Sequence, residues 1–151
     1  MFDLSDLYQE LILDHNRSPR NRRRIEHAGC RAEGYNPLCG DRITVYLSIG
    51  GDVIEEAAFE GTGCAISTAA ASMMTEAVKG MSVAEATALF ERFRAMVTAD
   101  EDRVEADGAS MGKLGAFAGV RRFPARVKCA TLAWHTLRAA IAGDHASVTT
   151  E

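Results

Sequence analysis

Ile43-Thr44-Val45-Tyr46-Leu47-Ser48-Ile49-Gly50-Gly51-Asp52-Val53-Ile54-Glu55-Glu56-Ala57-Ala58-Phe59-Glu60 alternates, turns and comes back, and this pattern decides the fold. Ile43, Val45, Leu47 and Ile49 fall on one side of an extended chain, and Thr44, Tyr46 and Ser48 on the other. Gly50-Gly51-Asp52 is turn chemistry, and residues 53–60 return as a second strand. A three-residue loop pairs Ile49 with Val53, Val45 with Ala57 and Ile43 with Phe59, apolar against apolar. A strict two-residue loop would set Val45 against Glu56. The longer loop is therefore expected.

That register places Asp41 opposite Gly61 and Cys39 opposite Gly63, so the next residue, Cys64, lands beside Pro37-Leu38-Cys39-Gly40-Asp41-Arg42. In an extended chain Cys39 and Asp41 point to the same side and present a thiol and a carboxylate to one point.

Upstream, residues 28–36 have strand character and end at Asn36-Pro37, a turn signal. Residues 5–15 read as an amphipathic helix, with Leu4, Leu7, Tyr8, Leu11 and Ile12 on its apolar face. Ser5 or Asp3 is placed to cap it, and Pro19 stops it. Arg17, Arg20, Arg22, Arg23 and Arg24 then form a basic segment, read as a solvated loop or a docking patch for an acidic partner, with nucleic acid a weaker third choice because no aromatic residues are interleaved for stacking.

Downstream, Gly61-Thr62-Gly63 turns the chain into a helix that Cys64 opens and Gly80 stops, rich in small residues and expected to be mostly buried. Ser82 and Glu85 form a capping box for a helix to about Val97. Residues 99–107 are acidic and read as an exposed loop, and residues 111–120 as a short irregular helix. Phe123-Pro124 starts the last helix, which ends at Gly143. Cys64 and Cys129 both lie early in helices, where the dipole favours thiolate. The tail from Asp144 is polar and expected to fray. Met73, Met74, Phe90 and Phe93 are expected in the core.

A chain of 151 residues suggests one domain spanning 1–151. Its net charge of −4 argues against a generic nucleic-acid binder. No apolar run approaches the ~20 residues that span a bilayer, so no membrane association is expected. The acidic N-terminus lacks the basic-then-apolar pattern of a signal peptide. A cytoplasmic location follows, where Cys30, Cys39, Cys64 and Cys129 stay reduced and bind metal, do chemistry or pack.

Cys39, Asp41, Cys64 and Cys129 stand out as a ligand set suited to tetrahedral zinc. Such a site carries a formal charge of about −2, which Arg42, Arg126 and Lys128 are placed to offset. Buried structural cysteine is the other reading, since there is no C-x-x-C pair. Cys30 reads as a strand residue or spare thiol. His15 reads as a packing or helix-capping residue, and His27, His135 and His145 show no partner at ligand spacing.

Four blocks carry a resemblance. They are Leu7-Tyr8 through Asp14-His15 with Pro19-Arg20-Asn21; Asn36 through Arg42; Phe59-Glu60-Gly61-Thr62-Gly63-Cys64-Ala65-Ile66-Ser67; and Phe123-Pro124-Ala125-Arg126-Val127-Lys128-Cys129-Ala130-Thr131-Leu132. In that order, across nearly the whole chain, they resemble the SufU branch of the IscU/NifU N-terminal family. The resemblance implies an α+β fold, a small three-stranded antiparallel sheet packed against about five helices, with zinc ligands at Cys39, Asp41, Cys64 and Cys129. It offers two functions: zinc-dependent sulfur transfer, or a scaffold on which iron–sulfur clusters are assembled. IscU-type chains carry histidine where this one has Lys128, and residues 99–119 are long enough for a SufU-type insertion. Both favour sulfur transfer from a pyridoxal-phosphate-dependent, SufS-like cysteine desulfurase to a Suf-type cluster-assembly complex. The implied mechanism is ligand exchange: a partner histidine replaces Cys39 on zinc, and Cys39 attacks the partner's persulfide.

Overall fold

The structure, a computed structural model, describes residues 4–98, 111–143 and 148–149. The acidic residues 99–107, His145 and the Asp3 cap lie outside them. Helix α1 (Leu4–Arg17) leads to strands β1 (Cys30–Asn36), β2 (Asp41–Gly50) and β3 (Val53–Thr62). Helices α2 (Ala65–Val78) and α3 (Val83–Thr98) follow, then a 3-10 helix over Gly112–Arg122 and α4 (Pro124–Ala142). The expected α+β fold is present: β1, β2 and β3 form an antiparallel meander with helices on one face.

The tail corrects its expectation. Val148–Thr149 (β4) adds a short parallel strand against Gly34 and Tyr35, giving the order β3-β2-β1-β4.

The hairpin register is also corrected. The tip loop has two residues, Gly51 and Asp52, and a bulge follows, so that Ile49 faces Ile54 but Ser48 faces Glu56. Shortening the loop and inserting one residue each move the pairing by one. Val45 therefore faces Phe59 rather than Ala57, and Ile43 faces Gly61. A shift of two keeps every side chain on its expected face, because the strand period is two. Val45, Leu47, Ala57 and Phe59 still enter the core.

α2 and α4 cover that face. Ala69, Ala70, Ala71 and Ser72 of α2 are buried, and these small side chains let the elements approach closely. Trp134 of α4 stacks on Phe93, with ring centres 5.1 Å apart, and on Phe90 at 6.0 Å. Gly34 decides where α4 lies along β1, because a Cβ there would sit 2.1 Å from Thr136 Oγ1. Two residues further along β1 is Asn36, and up the same face of α4 from Thr136 are Leu132 and Cys129. The Ser82–Glu85 capping box is formed reciprocally, at 3.0 and 3.1 Å.

Within the basic segment four of the five arginines have partners, though Arg22, Arg23 and Arg24 stay exposed. Arg20 pairs with Asp14 at 2.6 Å, Arg23 with Glu56 at 3.4 Å and Arg24 with Glu60 at 3.2 Å, while Arg22 donates to the Gly61 carbonyl at 3.0 Å. Ile25 packs on Tyr46 and Ala58, covering part of the outer sheet face.

His15 is buried, its Nδ1 2.7 Å from Ser72 Oγ, which also accepts from the Arg20 backbone N–H at 2.8 Å. Burial, with Arg20 nearby, lowers the His15 pKa below its ordinary 6.5. The unfolded chain therefore binds a proton that the folded one refuses. This contribution is complete above the unfolded value and is lost as pH falls through the folded one. Denaturant titrations at about pH 7.5 and about pH 5.5 are expected to show lower stability at the lower pH, with a shallower decline in His15→Asn.

Candidate metal centre

The turn between β1 and β2 spans residues 37–40, and this alters one expectation. Cys39 lies at the tip of the turn rather than on an extended strand beside Asp41. Asp41 is the first residue of β2 and pairs with Asn36, the last of β1. Gly40, at φ +70, takes the left-handed conformation that closes the turn. Folding back at this point, not strand alternation, brings thiol and carboxylate together.

Ligand atoms of Cys39, Asp41 and Cys129 all lie within 4.8 Å of one another. Cys39 Sγ and Cys129 Sγ are 3.2 Å apart. Cys64 stands at the margin, its sulfur 4.0 Å from Asp41 Oδ2 and outside that mutual distance. Its backbone N–H donates to Asp41 Oδ1 at 2.8 Å. The shifted register thus still delivers Cys64 to Asp41, as expected. Gly63 permits this approach, since a Cβ there would press on Asp41 Oδ1 at 2.9 Å and on Ser67.

Cys64 is the N-cap of α2, and its sulfur accepts from the Ser67 N–H at 3.4 Å. Cys129 behaves differently from expectation. It is 2% exposed, and burial, followed by its contacts with Cys39 and Asp41 and the proximity of Cys64, pushes its thiol pKa far up. Burial thus disfavours the thiolate at Cys129, against the effect expected from its place early in the helix. Two thiols and a buried carboxylate within one small radius, with a third thiol beside them, fit a soft divalent cation that displaces those protons.

In the sequence Asn36 ends the strand-like stretch 28–36 and opens the Asn36-Pro37 turn signal. It is fully buried, and its amide Nδ2 donates to Asp41 Oδ2 at 3.3 Å and to Cys129 Sγ at 3.4 Å. An asparagine before proline signals a turn on the page, and nothing in the sequence says where its side chain goes. Two of the three residues expected to offset the site's charge stack on rings, Arg42 over Tyr35 at 5.0 Å and Arg126 over Phe123 at 4.4 Å. Cys30 opens β1, half-buried and paired with Leu47. Among the described residues no helix is long and apolar enough to cross a membrane.

Comparison with known proteins gives a consistent picture. A family model described as "NifU-like N terminal domain" matches residues 7–130. The chain is 41% identical over 142 residues to the "Zinc-dependent sulfurtransferase SufU" of Bacillus subtilis (strain 168), covering 94% of each. It is 42% identical over 139 residues to the "Iron-sulfur cluster assembly scaffold protein IscU" of Streptococcus pyogenes serotype M1, covering 91% of this chain and 84% of that one. A crystal structure of FiSufU from Fervidobacterium islandicum AW-1, described as a scaffold candidate for the SUF system, superposes with a TM-score of 0.78. It is 33% identical and covers 92% of this chain and 99% of that one.

Proposed function

The chain belongs to the NifU-like N-terminal domain family of iron–sulfur cluster assembly, and on that premise we propose that it is a zinc-dependent sulfurtransferase. Cys39 takes persulfide sulfur from a pyridoxal-phosphate-dependent, SufS-like cysteine desulfurase and passes it to a Suf-type assembly complex. Cys39, Asp41, Cys64 and Cys129, all in one domain over residues 1–151, hold the zinc.

The observation that carries this reading is the asymmetry of the site. Asp41 and Cys129 are buried and Cys64 caps a helix, whereas Cys39 is exposed at the tip of a turn. Leu38 beside it is 65% exposed, an apolar side chain offered to a partner. Bound zinc supplies one thing, thiolate rather than thiol at neutral pH. The Cys39 sulfur attacks the outer sulfur of the partner's persulfide. The S–S bond breaks, the partner's thiolate leaves, and Cys39 carries the persulfide. Asp41, Cys64 and Cys129 remain anchored by the fold throughout.

Cluster scaffolding is the second reading, favoured by the likeness to the Streptococcus pyogenes IscU and by a donor set that also suits iron. Metal and sulfide analysis of the purified protein separates the two. One tightly held zinc per chain is expected. Stoichiometric iron and sulfide with no zinc would overturn the sulfurtransferase reading in favour of the scaffold.

A further inference from the structure

We propose that Asn36 is a positioning residue of the metal centre, orienting Asp41 and Cys129 and thereby setting apart Cys39 as the group free to leave; this rests on the metal-site reading above. Asn36 is 0% exposed, and both ends of its amide are used. Nδ2 donates to Asp41 Oδ2 at 3.3 Å and to Cys129 Sγ at 3.4 Å. Oδ1 accepts from the Leu38 backbone N–H at 3.3 Å, within the turn that carries Cys39. One side chain therefore links β1, the start of β2, the last helix and the turn.

The chemistry follows from the direction of these bonds. N–H donors aimed at one carboxylate oxygen and one sulfur fix the orientation of both ligand atoms toward a shared point. Cys64 receives its own donor from the Ser67 backbone N–H at 3.4 Å. Cys39 has a sulfur contact with Cys129, and among the described residues no nitrogen donates to it. A sulfur without a nitrogen donor keeps more of its nucleophilicity and is held only by the metal and its own short turn. The distribution of donors thus marks three groups as fixed and one as mobile.

The simpler role for Asn36 is to close the turn by accepting from Leu38, as Asn, Asp and Ser all do. The two roles come apart on substitution. Asn36→Asp and Asn36→Ser both retain a turn acceptor, and both lose the amide donors. Zinc affinity is measured on folded protein by competition with a chromophoric chelator, and thiolate ligation by the absorption of the cobalt-substituted protein. Both variants are expected to bind zinc about 10–100-fold more weakly, as loss of a hydrogen-bond partner to metal ligands does elsewhere, with an altered cobalt–thiolate band. Wild-type affinity and an unchanged cobalt spectrum in either folded variant would overturn the proposal. If the wild type itself gives no cobalt–thiolate band, the metal-site reading fails and the role of Asn36 falls with it, an outcome distinct from a variant that binds like wild type.

Discussion

On the sulfurtransferase reading, Cys39→Ala is expected to abolish stimulation of a cysteine desulfurase, returning cysteine turnover to the desulfurase-alone rate. The loss is essentially complete because no other thiol can substitute. Cys129 is 2% exposed, and Cys64 is committed to capping α2. Cys30 lies at the far end of β1, opposite Leu47 rather than Asp41. The substitution itself is mild. Cys39 is exposed in a turn, and in the metal-free protein truncation at such a position usually changes stability by less than about 0.5 kcal/mol. Desulfurase assays on wild type and variant, with far-UV circular dichroism on both, check this. A Cys39→Ala protein that stimulates like wild type would mean that the metal only supports the fold.

Asp41→Ala is expected to give the largest loss of metal and stability together. Asp41 is fully buried and accepts from the Cys64 backbone N–H and from Asn36. In chelator, losing the hydrogen bond from the half-buried Cys64 N–H costs about 1 kcal/mol, the usual net contribution of such a bond. In zinc the deficit grows. At free zinc 100-fold above the dissociation constant the wild type gains ~2.7 kcal/mol, and a variant that has lost the ligand gains little. Zinc affinity should fall by more than the ~10–100-fold typical of losing an outer hydrogen-bond partner. Denaturant midpoints with and without zinc separate the two contributions. Equal zinc-dependent stabilisation of wild type and variant would remove Asp41 from the ligand set.

The hairpin, the capping box and the proline start of α4 were legible because each rests on neighbours in sequence. The hairpin register was legible only to its parity. Apolar matching fixes which face of a strand points inward, but it does not see a bulge at Glu55 that moves the pairing by two. Cys129 shows a different limit. Its place early in a helix can be read, whereas its burial depends on Gly34 letting α4 close on β1, a contact across about a hundred residues. The arginine segment fails for the same reason. Its partners Glu56, Glu60 and Gly61 lie more than thirty positions away, so a run of like charges hides a set of ion pairs. Asn36 was hidden by its own backbone signal, because a turn residue on the page turned out to point its side chain into the site.

Sulfur transfer to Cys39 is tested most directly by finding the sulfur. The zinc-loaded protein is incubated with a SufS-like desulfurase and cysteine, alkylated without reduction, digested and analysed by mass spectrometry. The peptide carrying Cys39 is expected to gain the mass of one sulfur atom, and peptides carrying Cys30, Cys64 and Cys129 are not. Absence of added sulfur on Cys39 while the desulfurase turns over, or its appearance on Cys64 or Cys129 instead, would contradict the assignment.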